Sequence, residues 1–246
     1  MTSDRPSRTV LTHWLSEGTG RLLDAVVALD DARVVGPSAL PGWTNAHLLT
    51  HVARNADALG NLLDWAATGV ESPMYPHGAA QRAADIDAGA GRPPAAIRAD
   101  VFDSAVRLRD RLAGVPESAW GRHVRTAQGR QVRADRVPWL RVREVWIHLI
   151  DLDTGATFAE MPGDLAQALL DDVVDTLAAK GVGCPALVVH DRPGGSARTT
   201  RLPAPGEAVA HVEGITDELL GWLTGRSDGA GLIHSAAALP ALPPWL

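Results

Sequence analysis

The sequence predicts an α+β protein: a four-helix bundle over residues 1–155, followed by a smaller α/β domain over residues 156–246. Three observations carry this reading. Before residue 153, apolar residues recur at spacings near three and four in four separate stretches. Beyond it, short apolar and β-branched runs are separated by Pro/Gly turns. Between these regions, VPWLRVREVWIHLIDLD, residues 137–153, is apolar almost all the way round except for one thin charged line.

The first helix is read over residues 8–34, with Leu11, Trp14, Leu15, Leu22 and Val26 among its periodic apolar positions. GPSALPGW then breaks the chain, and Thr44 suits the N-cap of a second helix over 45–69 whose apolar face includes Leu48, Leu49, Val52, Leu59 and Leu63. Residues 70–92 are read as a loop, too polar and too rich in Gly and Ala for the core. A third helix starts at Pro93 and Pro94, since proline sits well in a first turn, and runs to Val115. The weak alternation of residues 120–138, with Gly129 near its middle, fits a hairpin or an irregular crossing. The fourth helix is 137–153. In the second half, residues 161–181 form a helix ending at Gly181, residues 184–191, 197–203 and 208–214 read as strands, and 215–226 return to helix.

Composition narrows the function. A formal net charge of -6 and the absence of a basic run argue against nucleic acid as the partner. No stretch approaches the roughly 18–20 apolar residues that span a bilayer, and the N-terminus lacks the apolar run of a signal peptide, so a cytoplasmic location away from membranes is expected. The single cysteine, Cys184, excludes an intrachain disulfide and a thiolate-rich zinc cluster, so a metal here must use His and carboxylates. Cys184 opens a strand-like run and reads as a small buried hydrophobe rather than a nucleophile. His190, His211 and His234 lack metal-ligand spacing.

The charged line is Arg141, Glu144, His148 and Asp151, spaced three, four and three, which puts all four on one helical face. Glu144 and His148, one turn apart, can aim at a single point. A third ligand then comes from a facing helix, where His51, in the middle of an apolar run, is favoured over His47 near the helix start. Two His and one carboxylate with an open fourth position is the pattern of a catalytic zinc site, and Asp151 stands where it can hold the other nitrogen of His148. From spacing alone, an ordinary polar pair on one helix stays open as the alternative.

LPGWTNAHLLTHVARNADAL, PMYPHGAAQRAADID and REVWIHLIDLD, in that order and followed by LLGWLTGR, resemble the mycothiol-dependent maleylpyruvate isomerase family, whose N-terminal half is a DinB-like metal-binding bundle. The similarity covers essentially the whole chain. It implies a DinB-like four-helix bundle with a small C-terminal α/β domain, and Zn2+ or another divalent metal held by His51, Glu144 and His148. Mycothiol is the implied cofactor, and cis–trans isomerisation of maleylpyruvate or a related unsaturated acid the implied reaction. Addition of a thiolate to the conjugated carbon makes the double bond single, rotation follows, and elimination returns the thiol. Arg82 and Arg226 are the implied cations for the substrate carboxylates, while Arg141 is read as a salt-bridge partner of Asp151 or of an acid on the first helix. The near absence of lysine, with Lys180 alone, resembles the coding bias of an actinobacterial genome. The expected partners are the small-molecule substrate and mycothiol, in a monomer or homodimer. Rival readings keep the fold: a mycothiol S-transferase acting on an electrophile, or a non-catalytic metal-binding bundle.

Overall fold

Ser7 opens the first helix, α1 (Arg8–Ala28), by accepting a hydrogen bond from the Val10 amide. The computed structural model describes residues 6–180, 187–191, 198–202, 210–243 and 245. It divides into two units, Met1–Gly155 and Ala156–Leu246. The stretch expected as one helix over 8–34 is two: Leu29 is extended, and the Asp30 side chain accepts from the Arg33 amide to start a short α2 (Asp31–Val35). Aspartate competes for nearby backbone donors, so it favours a new helix start over a helix interior.

The second long helix, α3 (Asn45–Thr68), begins at a reciprocal cap. Thr44 accepts from the His47 amide, and the His47 ring accepts from the Thr44 amide. It ends at Gly69, whose φ of 79° closes the helix in the left-handed region. Residues 78–90, expected as part of a loop, form a helix, α4 (Gly78–Ala90). Alanine is the best helix former, and one apolar anchor, Ile86, is buried. Near its end Gly89 lies against Thr50 of α3, where a Cβ would collide with the threonine side chain. Next comes α5 (Pro94–Gly114), with Pro94 in its first turn and Ile97, Val101 and Leu108 buried.

Residues 120–138 resolve into an antiparallel hairpin, β1 (His123–Arg125) with β2 (Gln131–Arg133), turning at Gly129 with φ 78°. The hairpin leads into α6 (Val137–Asp151), which buries Trp139, Val142, Val145, Trp146 and Leu149, together with Arg141 and Asp151. Helix α3 packs against α5 and α6, and α1 against α6. A core of Leu59, Leu62, Leu63, Leu108, Val124 and Val137 joins α3, α5, the hairpin and α6.

The second unit holds α7 (Gly163–Lys180), β3 (Leu187–Asp191), β4 (Arg198–Leu202), β5 (Ala210–Gly214), α8 (Thr216–Leu223) and β6 (Ile233–His234). Its sheet runs β4-β3-β5-β6, with β3 antiparallel to β4 and parallel to β5. The fold is α+β. Cys184 lies outside the described residues. No helix among the described residues is long and apolar enough to cross a membrane.

The α1–α6 seam depends on one glycine. The Trp146 indole donates to the Trp14 carbonyl at 2.9 Å, and a Cβ on Gly18 would run into that indole. Gly18→Ala is therefore expected to lower stability by about 1–3 kcal/mol in urea unfolding, through overpacking. Gly20→Ala, with open space around the new carbon, is expected to raise stability by up to about 1 kcal/mol through helix propensity. Equal effects of the two changes would contradict this account of the seam.

Candidate metal centre

The charged line of α6 faces α3. Nearly two turns into α3, His51 is buried among Leu48, Leu49 and Val52, with its Nε2 directed at α6. That atom lies 3.1 Å from Glu144 Oε2 and 3.2 Å from His148 Nε2, and the latter two are 3.3 Å apart. Ligands at about 2.0–2.1 Å from a tetrahedral zinc ion stand roughly 3.3 Å from one another. Two imidazoles and a carboxylate at this spacing thus fit a divalent cation by both chemistry and distance. His47 is not part of the cluster, because its ring is engaged in the α3 cap with Thr44.

Behind the ring of His148, Nδ1 meets Asp151 Oδ2 at 2.9 Å, and Asp151 is fully buried. A carboxylate accepts, so Nδ1 carries the proton and the Nε2 lone pair points at the cluster. Burial pulls the His148 pKa down, but its hydrogen bonds to Asp151 and Glu144 outweigh this and raise it above 6.5. Glu144 shows the converse balance: burial pushes its carboxyl up, yet hydrogen bonds from His148 and His51 hold it well below the usual range. Burial lowers His51, and the bond to Glu144 only partly offsets that.

Arg82, on α4, reaches the far side of His51, with Nη2 at 3.0 Å from Nδ1. A guanidinium can only donate, so Nδ1 is the acceptor, and a neutral His51 then carries its proton on Nε2. An ion bound through Nε2 needs the opposite tautomer. The proton must move to Nδ1, and Arg82 must leave. The guanidinium already rests 5.3 Å above the Tyr75 ring, beside a cavity of about 150 Å³ that Arg82 and Tyr75 help to line. Burial raises the Tyr75 pKa against the influence of Arg82, so the phenol stays neutral. Trp43 completes the surroundings, edge-on to His51 with ring centres 5.6 Å apart.

Other expected residues fall elsewhere. Arg141 is 2% exposed, and its Nη1 donates to the Val52 carbonyl at 2.8 Å and to Asn55 Oδ1 at 2.9 Å, so it ties α6 to α3 rather than to an acid of α1. Arg226 belongs to the second unit, half-buried, with Nη1 donating to the Thr224 carbonyl at 2.7 Å. Trp43 and Tyr75 were not foreseen as neighbours of the cluster. Their place inside the two sequence blocks that hold His51 and Arg82 was the available signal.

A helical bundle in which two facing helices bring two imidazoles and a carboxylate to one point defines the class as a bundle with a candidate metal site. The family described as the mycothiol maleylpyruvate isomerase N-terminal domain matches residues 15–153, and this chain belongs to the mycothiol-dependent maleylpyruvate isomerase family of enzymes. A crystal structure of the mycothiol-dependent maleylpyruvate isomerase is 36% identical, with a TM-score of 0.88 and full coverage of both chains. That of a histidine-to-alanine variant of that enzyme is 35% identical, with the same TM-score and coverage. Comparison with curated proteins yields no significant match.

Protons and a bound ion would compete for His148. Because its metal-free pKa lies above 6.5, each metal bound below that pKa must displace a proton, and apparent zinc affinity is expected to fall by about tenfold per pH unit as the pH drops beneath it. Competition titrations with a chelator across pH 5.5–8.5 check this; a flat profile would contradict it. Asp151→Asn, which removes the acceptor for Nδ1–H, is expected to weaken zinc binding about 10–100-fold.

Proposed function

We propose that the protein is a zinc- and mycothiol-dependent cis–trans isomerase of the cytoplasm, acting on maleylpyruvate or a related unsaturated acid. In this reading residues 1–155 are a DinB-like metal-binding bundle and residues 156–246 a small α/β domain. The observation that carries it is the triangle of His51 Nε2, Glu144 Oε2 and His148 Nε2, 3.1–3.3 Å on a side, in a chain of this family.

His51, Glu144 and His148 would hold the ion. Bound there, zinc and mycothiol together supply a thiolate at neutral pH for reversible addition to the conjugated carbon. The protein's own part is positional and electrostatic. Asp151 fixes the His148 tautomer, so that Nε2 is a ligand in every cycle. Arg82, displaced from His51 when Nδ1 takes up a proton, is a free cation beside the cluster. It pairs with a substrate carboxylate and with the negative charge that builds on the substrate as the thiolate adds. Arg226 supplies the second cation. Trp43 and Tyr75 offer apolar faces against which water is excluded, which strengthens each of these charge contacts.

The test is an assay of zinc-loaded protein with maleylpyruvate, with and without mycothiol, following fumarylpyruvate. Turnover is expected only with the thiol, and Glu144→Ala is expected to abolish it. Turnover without thiol would contradict the mechanism. Capture of mycothiol on an added electrophile, with no isomerisation, would move the protein to the S-transferase class. Arg82→Met separates its two roles: the KM for maleylpyruvate rises at least tenfold, while zinc affinity increases about 3–10-fold because the hydrogen bond that opposes the ligating tautomer is gone. Weaker zinc binding in Arg82→Met would contradict the displacement of Arg82.

A further inference from the structure

Away from the three-ligand cluster, a second cavity of about 590 Å³ opens between α1 and α5, with the start of α6 closing its inner end. Pockets that hold small ligands measure roughly 300–1,000 Å³. Its walls are mainly apolar, built from Leu15 and Leu23 of α1, Val106, Leu108 and Leu112 of α5, and Trp120. A monomeric surface rarely leaves so much apolar area in one concave place without an occupant.

The charged residues around this cavity all have one sign. Arg8, Arg109 and Arg141 line it, and no Asp or Glu does, in a chain whose net charge is -6. Two of the three are already paired. Arg8 meets Glu117 at 2.8 Å and lies 5.1 Å over the Trp120 ring, and Arg109 meets Asp110 at 2.9 Å. Arg141 differs. It is buried, it has no carboxylate partner, and among the described residues its hydrogen bonds come only from Nη1, to the Val52 carbonyl and Asn55 Oδ1. Nε and Nη2 make no hydrogen bond among the described residues and are not sealed off from the surroundings. A buried guanidinium in this condition is costly unless an anion or other acceptor completes it. Burial lowers its pKa to about 10 against the opposing charges of Glu144 and Asp57, which leaves it charged at neutral pH.

We propose that the α1–α5 cavity is a binding site for a small apolar carboxylic acid, whose alkyl or aryl tail lies against the leucine walls and whose carboxylate pairs with Arg141. One buried cation matches a monoanion; a phosphate dianion would bring a second charge into an apolar chamber with no partner for it. The site is separate from the isomerase centre, since none of His51, Glu144, His148 and Arg82 lines it.

Decanoate is the probe, titrated calorimetrically into zinc-loaded full-length protein, with decanol as the uncharged control. The expected result is saturable binding of one decanoate per chain, at least tenfold tighter than decanol. Arg141→Met is expected to erase that tenfold preference and leave decanol unaffected. Should Arg141→Met fail to fold, Ala105→Trp, which fills the cavity from a half-buried position on its wall, is expected to abolish binding of both. His148→Ala, which disrupts the metal cluster, is expected to leave decanoate binding intact. The proposal is overturned by an absence of saturable binding, by equal affinity for acid and alcohol, by binding that survives Ala105→Trp, or by binding lost in His148→Ala. A dimer in sedimentation that Ala105→Trp dissociates, with no decanoate bound, would assign the face to a second copy of the chain and equally overturn it.

Discussion

A fully buried carboxylate, that of Asp151, holds the geometry of the His51, Glu144 and His148 cluster in place. Its side chain fixes the His148 ring from behind, at 2.9 Å. Its backbone carbonyl accepts from the Ala39 amide at 2.9 Å and so anchors the segment that leads into α3. That segment carries Trp43 and the Thr44 cap, which set where α3 begins and hence which of its residues meets α6 two turns later. One residue thus orients one proposed ligand directly and helps to register the helix that brings another. An unpaired carboxylate with no exposure would cost several kcal/mol. Its pairing with a histidine turns that cost into a constraint on the imidazole, the usual service of a carboxylate behind a metal-binding ring.

The other face of the cluster is poised differently. A neutral His51 with its proton on Nε2 serves both Arg82 at Nδ1 and Glu144 at Nε2, but an ion bound through Nε2 would require the opposite tautomer. Occupation of the centre would thereby be coupled to the position of a cation on α4. Most of that helix is exposed, and it is fixed by Ile86 and by the close approach of Gly89 to Thr50. A cation on a lightly anchored helix can exchange one partner for another at small cost. The salt bridges that join α3 and α5 through Asp57 and Asp100 keep the framework beneath it rigid.

Much of this was legible in the sequence, and the reasons are physical. Helical geometry alone places Arg141, Glu144, His148 and Asp151 on one face, and a helix otherwise apolar all round can only be buried, so the line had to find partners inside. His51 stood out from His47 by its position mid-helix among leucines, and the structure engages His47 in the cap instead. What periodicity could not supply was tertiary. The segment 78–90 offers a single apolar anchor, too little to be told from loop, although its alanines favour helix. Arg141 was expected to meet an acid but meets a backbone carbonyl and an amide on α3, a contact that depends on helix register rather than on charge. The early division of 8–34 turned on one aspartate used as a cap, and local capping rarely shows in an apolar pattern.

The central claim is that His51, Glu144 and His148 hold a zinc ion with one position open to a thiol. Zinc K-edge X-ray absorption on the purified zinc protein, before and after addition of mycothiol, tests it most directly. The account predicts a first shell of nitrogen and oxygen alone at about 2.0–2.1 Å, joined on addition of the thiol by one sulfur at about 2.3 Å. A shell that gains no sulfur at saturating mycothiol, or one that keeps both of its imidazoles in His51→Ala, would contradict it.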